Sequence, residues 1–351
     1  MNAATPTDRI AAGIKLAAIL LATAGLGGCA TMLQGNSSQS VADKPVTGSD
    51  ERATSDAAAS GAISESAEEA RKLAAEAFAE GDWDTALYMF VQAVNLDPED
   101  SHSLYAIGAI HENRGNMELA ARAYQGVVAI DPSHALAQQQ LGAAQLRAKD
   151  LEAAKLSLGT ALQTDPTLWR AHNLLGVIAD MEERYDDAIQ HYSTAISLQP
   201  EIASIVNNRG YSKYLAGMLD AAEADFLRAL EIDPSYDRAW KNIGLIHARR
   251  HEYAEARRVM ERVVPKHVAA NDVGYVAMLN ADYTMAGSLF EEAIRISPRY
   301  YPTAAKNLAE LRRRQTPQPV LATVESSGEE TTDSLANDDV EAIGSIASSG
   351  K

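Results

Sequence analysis

Five prolines, Pro98, Pro132, Pro166, Pro200 and Pro234, stand 34 residues apart, and five glycines, Gly108, Gly142, Gly176, Gly210 and Gly244, keep the same interval. Two ladders in register restrict the chain to a stack of near-identical units, each burying its apolar face on its neighbours. A third ladder runs through Ala86, Ala120, Ala154, Ala188, Ala222 and Ala256. Four positions later comes a large residue: Phe90, Tyr124, Leu158, Tyr192, Phe226 and Met260. The spacing predicts two antiparallel helices per unit, with glycine in the first facing alanine in the second and the large side chain filling the space beside that contact. Proline follows aspartate at Asp97, Asp131, Asp165 and Asp233, where it ends the second helix by lacking a donor and by pushing its predecessor out of the helical region.

A 34-residue helical period with this glycine, alanine and proline pattern resembles the tetratricopeptide repeat (TPR). The resemblance implies an all-α TPR solenoid, a right-handed superhelix of about seven helix-turn-helix repeats. Counting from the ladders places repeat starts near residues 67, 101, 135, 169, 203 and 237. A seventh repeat, from about 267, is marked by Gly274, Ala286, Phe290, Ala293 and Pro298, which lie 30 residues beyond their counterparts. Pro265 comes early in repeat six, so its second helix is expected to be short. Residues 301–314 read as a capping helix, with Ala305, Leu308 and Leu311 on one face and Arg312, Arg313 and Arg314 in the last turn. The repeat domain is thus expected over residues 65–314.

The ends differ in character. Arg9 and Lys15 precede the apolar run 16–26, then come Gly27, Gly28 and the chain's one cysteine, Cys29. Charged start, short apolar middle and small residues are the order of a secretory signal, and the run is shorter than the roughly 20 residues a membrane span needs. Leu-Gly-Gly-Cys resembles the lipobox of bacterial lipoproteins. That resemblance implies a signal peptide over 1–28 cut after Gly28, acylation of Cys29 and, because Ala30 is not aspartate, an outer-membrane anchor facing the periplasm. Residues 29–64 are poor in large apolar groups and read as a disordered tether, spanning about 30–35 Å on average. The tail over 315–351 carries Glu325, Glu329, Glu330, Asp333, Asp338, Asp339 and Glu341 against Lys351 alone, and reads as disordered and acidic.

The formal charge of −17 opposes nucleic acid and anionic surfaces. A lone cysteine cannot build a thiolate cluster. His251-Glu252 begins a zinc-protease pattern, but Glu255 stands where its second histidine belongs. His247 and His251 are spaced to share one helical face, and interhelix packing is the expected role of His247. Asp186 and Asp187 are expected in a solvated turn. No nucleophile elbow, phosphate loop or dinucleotide motif is present, so neither enzyme activity nor a cofactor, metal or small-molecule substrate is expected.

In the TPR family, positions two, five, six, nine and twelve of a repeat face or border a concave groove. Mapped here, they give Arg170 and Asn173, then Asn207, Asn208, Tyr211 and Tyr214, then Arg238, Lys241 and Asn242, then Asn271 and Tyr275. Asparagines there could hold a ligand's backbone or bridge neighbouring helices. The family's carboxylate clamp is not found in register. Residues 271–311, through Asn271-Asp272, Gly274-Tyr275 and the Ser297-Pro298-x-Tyr-Tyr turn, resemble the TadD-like TPR lipoproteins of Flp/Tad (tight adherence) pilus assembly. That resemblance implies a scaffold helping to localise or assemble a secretin and pilus-assembly subunits. Adaptors for peptidoglycan synthases or hydrolases, and components of envelope polysaccharide export, are alternative readings.

Overall fold

Short-range side-chain hydrogen bonds fix where many of the helices begin and end in the computed structural model, which describes residues 66–315. The signal-like segment, Cys29, the tether and all but the first residue of the acidic tail lie outside the described residues. Within them the fold is all-helical, with 15 helices and no strand. First and second helices alternate: α1 (Ala67–Glu80) and α2 (Trp83–Leu96), α3 (Ser101–Asn113) and α4 (Met117–Ile130), α5 (Ala135–Arg147) and α6 (Leu151–Thr164), α7 (Trp169–Met181) and α8 (Tyr185–Leu198). They continue as α9 (Ala203–Leu215) and α10 (Leu219–Ile232), α11 (Asp237–Arg249) and α12 (Tyr253–Met260), α13 (Lys266–Leu279) and α14 (Tyr283–Ile296), closed by α15 (Pro302–Gln315). Ser66, Asp82, Asp100 and Asp150 each accept the backbone N–H three residues on, satisfying a donor that a helix start leaves free.

The Asp-Pro junctions are small hydrogen-bonded motifs. Asp131 accepts from the N–H and hydroxyl of Ser133 at 2.9 and 2.6 Å, Asp165 does the same with Thr167, and Asp233 with Ser235. One helix further on, Gln138 and Trp240 donate to the carbonyls of Pro132 and Pro234, and Nε2 of His172 lies 3.3 Å from that of Pro166. The turn inside each repeat also repeats its geometry. Gly81, Gly115 and Gly217 take a left-handed φ, and in the corresponding turns Lys149, Glu183, His251 and Ala281 take it without the freedom of glycine.

Close approach within repeats two to seven is set by the glycine ladder, but its partner differs from the expected one. A Cβ on Gly108 would lie 2.6 Å from the Tyr124 ring, on Gly176 2.7 Å from Tyr192, on Gly210 2.8 Å from Phe226 and on Gly244 2.4 Å from Met260. The glycine therefore receives the large side chain itself. The ladder alanine lies alongside, its carbonyl 3.3 Å from the same point at Gly142 and 3.0 Å at Gly244. Tyr192, Phe226 and Phe290 are wholly enclosed by this arrangement, each contributing about 1.5–3 kcal/mol of apolar burial.

Helix α12 has 8 residues where the other second helices have 14, and Pro265 stands before α13, which bears out the short helix expected in repeat six. Asp186 and Asp187 are not in a turn: they occupy the first turn of α8, where the helix dipole favours carboxylates, and Asp187 pairs with Arg184. In α15 the buried face is Ala304, Leu308 and Leu311, one position off the expected alanine, and Arg313 and Arg314 pair with Glu310.

Gly244→Ala is expected to lower the urea midpoint, by an overpacking penalty of about 1–3 kcal/mol. Gly159→Ala, at a helical position with nothing within 4 Å of the added carbon, is expected to raise it by about 0.5–1 kcal/mol. Equal shifts in one direction would contradict the role given to the glycine ladder.

Candidate protein-binding groove

From α5 onward the first helices of successive repeats pack directly on one another, whereas the second helices reach the next repeat through its first helix. The stack therefore curves with the first helices on its inner side. Side-chain bonds tie those helices together. Asn208 donates to Asn173 at 3.2 Å, Asn242 donates to Asn207 at 2.9 Å, and Lys241 reaches Asp272 at 3.0 Å. Each link joins one register position to the position one residue later in the following repeat. Asn307 of the cap continues the series by donating to Asn271 at 2.9 Å.

This ladder sorts the residues read from the sequence as groove positions. Asn207, Asn208, Asn271 and Tyr275 are only 1%, 4%, 4% and 6% exposed. The three asparagines bond to neighbouring side chains within the domain, and burial raises the Tyr275 phenol. The Nδ2 group of Asn271 also donates to Asp272 at 3.2 Å. Of the two roles open to the asparagines, the interhelix bridge is the one formed. Arg170 is exposed, while Asn173, Tyr211, Tyr214, Arg238, Lys241 and Asn242 are half-buried. The Tyr211 and Tyr214 rings lie near-parallel, 6.0 Å apart, and Arg170 sits over the Trp169 ring at 5.1 Å. These groups give the inner face aromatic planes and cations, the chemistry that grips an extended chain through stacking and charge.

Position twelve of repeat four holds Asp180, which the sequence reading left out. It accepts from Tyr192 at 2.9 Å and from Ser212 of the next repeat at 2.7 Å. Its counterpart in repeat two, Glu112, likewise accepts from Tyr124 and Gln140, and it also has the Arg147 guanidinium at 3.8 Å. Leu215 stands where that arginine would be in repeat five. Burial accordingly pushes the Asp180 carboxyl up to about 6, against the opposing hydrogen bonds from Ser212 and Tyr192.

A second cluster joins α9 to α10. Asp225, 5% exposed, receives both Nε and a terminal nitrogen of Arg209 at 2.9 and 2.8 Å and the Lys213 ammonium at 2.7 Å. His247 is bonded to Glu252 at 2.6 Å, and His251 to Asp282 of the next repeat at 2.6 Å. Neither histidine shares a third ligand: among the described residues no group of three or more His, Cys, Asp or Glu is placed to hold a metal ion. No described helix is long and apolar enough to cross a membrane.

A solenoid of paired helices with a concave polar and aromatic face is a protein-binding scaffold. The chain belongs to the tetratricopeptide repeat family, whose profile matches residues 56–135, 140–203 and 207–267. It is 26% identical over 201 residues to the human protein O-mannosyl-transferase TMTC1, covering 55% of this chain and 22% of that protein. It is 29% identical over 125 residues to the type IV pilus assembly protein PilF of Pseudomonas aeruginosa, covering 35% of this chain and 50% of that one. A solved tetratricopeptide repeat protein from Parabacteroides merdae superposes with a TM-score of 0.52 at 15% identity, over 71% of this chain and 100% of its own. The chain thus spans half or less of the length of these two curated relatives.

Asn207→Ala is expected to destabilise the fold by about 1–3 kcal/mol, because it removes a buried acceptor and leaves half-buried Asn242 without its bond, whereas Arg170→Ala is expected to stay within about 0.5 kcal/mol of wild type. Thermal unfolding of both variants checks this. For Asp180 the folded value lies above the ordinary 3.8, so its stabilising contribution is full below that value and is lost as pH rises through about 6. Asp180→Asn is therefore expected to gain about 2 kcal/mol over wild type at pH above 7 and to lose that advantage toward pH 4, read from urea midpoints along a pH series.

Proposed function

We propose that this chain is a lipid-anchored TPR scaffold of the bacterial envelope that helps to assemble or localise a Flp/Tad pilus secretion system, holding an outer-membrane secretin or a pilus-assembly subunit in its concave groove. The observation that carries this reading is the similarity of its repeats to the pilus assembly protein PilF, taken with residues 271–311 and the Leu-Gly-Gly-Cys sequence before Ala30. In this reading the signal peptide is cut after Gly28, Cys29 is acylated, and the protein faces the periplasm from the outer membrane. More than one acyl chain makes such anchoring stable, since each buried methylene contributes about 0.8 kcal/mol. Binding is the activity; no catalytic group, cofactor or nucleic acid enters it.

The accessible groove residues carry the contact. Tyr211 and Tyr214 offer a stacked pair, and Arg238 and Lys241 lie one repeat further on. The buried asparagines hold the first helices at the spacing that lets those groups act together.

Affinity capture from detergent-solubilised envelopes of the native host, with mass spectrometry as readout, tests the proposal. The intact lipoprotein is expected to recover a secretin and pilus-assembly subunits, and Arg170→Ala with Arg238→Ala is expected to lose them while keeping a melting profile close to wild type. Recovery of peptidoglycan enzymes or export components in their place would overturn the pilus reading. Cys29→Ser is expected to release the protein from the membrane fraction; unchanged membrane association would contradict the anchor.

A further inference from the structure

The two ends of the stack carry opposite charge. At one end, α1 holds four glutamates, Glu68, Glu69, Glu76 and Glu80, against Arg71 and Lys72. Arg71 reaches Asp100 at the start of α3, and Lys72 lies 4.0 Å from Glu76. Glu68 and Glu80 are exposed and form no ion pair among the described residues. At the other end, residues 295–315 carry six basic side chains and one carboxylate, Glu310. Arg313 and Arg314 share Glu310, and Arg312 pairs with Glu291, but Arg295, Arg299 and Lys306 are exposed and have no such partner among the described residues.

A terminal element of a solenoid needs a polar outer face for solubility, and either sign of charge serves that purpose. Solubility therefore does not account for a basic end opposite an acidic one in a chain of formal charge −17. In α1 the exposed Glu76 occupies the register position at which Ile110, Ile178 and Ile246 enter the core of the preceding repeat, so this face is the one that a preceding unit would meet. Both ends also carry exposed aromatic rings. Phe78 and Trp83 meet edge to face at 4.8 Å and are 39% and 37% exposed, and Tyr300, just before α15, is 78% exposed. Rings left in solvent beside a charged rim are the material of an interface centre, and a cap built only for solubility has no use for them.

We propose that the chain associates head to tail with a second copy of itself, the acidic α1 end of one protomer seated on the basic α15 end of the next, with Glu68 and Glu80 against Arg295, Arg299 and Lys306. Within one chain, α2 to α14 stand between the two faces. Because the faces differ, the contact is heterologous: every dimer keeps one free acidic end and one free basic end, and addition continues unless the rotation closes a ring. Charge decides which end meets which, since two acidic or two basic ends repel. Screening over about 8 Å at physiological ionic strength makes the association sensitive to salt. The contact uses the ends of the stack, so it is separate from whatever the concave face holds.

Sedimentation velocity of the purified full chain over a concentration series, in a neutral detergent that disperses any acylated N-terminus, tests this. Species larger than the monomer are expected to grow with concentration, with association about tenfold weaker at high salt. Glu68→Gln with Glu80→Gln, and separately Arg299→Gln with Lys306→Gln, are each expected to weaken self-association about tenfold while keeping a melting profile close to wild type, because all four side chains are exposed. Mixed together, the two variants retain one intact pair of ends and are expected to form a dimer and nothing longer. Carbodiimide, which joins amines to carboxylates in contact, is expected to link Lys306 to Glu68 or Glu80 between isotope-labelled and unlabelled chains. A monomer at every concentration, variants that associate as wild type does, a mixture no different from its components, or Lys306 links only to carboxylates of its own chain would each overturn the proposal.

Discussion

The seat of a large side chain on a glycine is the contact on which the rest of this structure depends. In repeats two to seven the two helices come close enough that a single added carbon would strike a large side chain at 2.4–3.0 Å. That proximity brings the second helix into full apolar contact with the first and encloses Tyr192, Phe226 and Phe290. Because interiors pack at crystalline density, the geometry of one repeat is transmitted to the next with little slack. Repetition of the contact turns a local steric fact into a superhelix.

Between repeats the interactions change character. Apolar side chains still fill the space, but the first helices are also held by amide pairs and by the Lys241–Asp272 bridge. Such bonds are directional, so they set the register of one repeat on its neighbour in a way that methyl groups do not. They also use up groups that would otherwise have served a ligand. What is left facing the groove is aromatic and cationic, a surface suited to acidic or aromatic segments.

Repeat six interrupts the regularity. Its second helix stops at Met260, and a non-helical segment through Pro265 leads into α13. The lost turn leaves a cavity of about 590 Å³ bordered by Arg257, Glu261, Lys266, His267 and Glu292, with Arg257 paired to both glutamates. The domain closes against α15, whose Leu308 and Leu311 join the core of the last repeat. Polar and charged residues cover its outer side, as a terminal element of a solenoid requires.

Much of the fold was legible in the sequence because its determinants are local and periodic. Proline stops a helix wherever it falls, glycine admits a close neighbour, and a fixed period implies stacking; none of these needs a long-range contact to be recognised. A second set of periodic signals, aspartate-proline-serine or threonine and a donor six residues after the proline, is equally local and repeats at the same interval. The groove was legible only as a set of register positions. Position says which helix face a residue occupies, not whether the next repeat covers it, so Arg170 and Asn207 looked alike in the sequence although one is exposed and the other enclosed. The same holds for Asp180, whose carboxyl is raised by a burial that only the packed repeats create. The sequence by itself thus determined the repeat, its helices and their class; the tertiary structure alone decided which polar groups bind each other, because that choice depends on curvature, a sum of small displacements across every repeat interface.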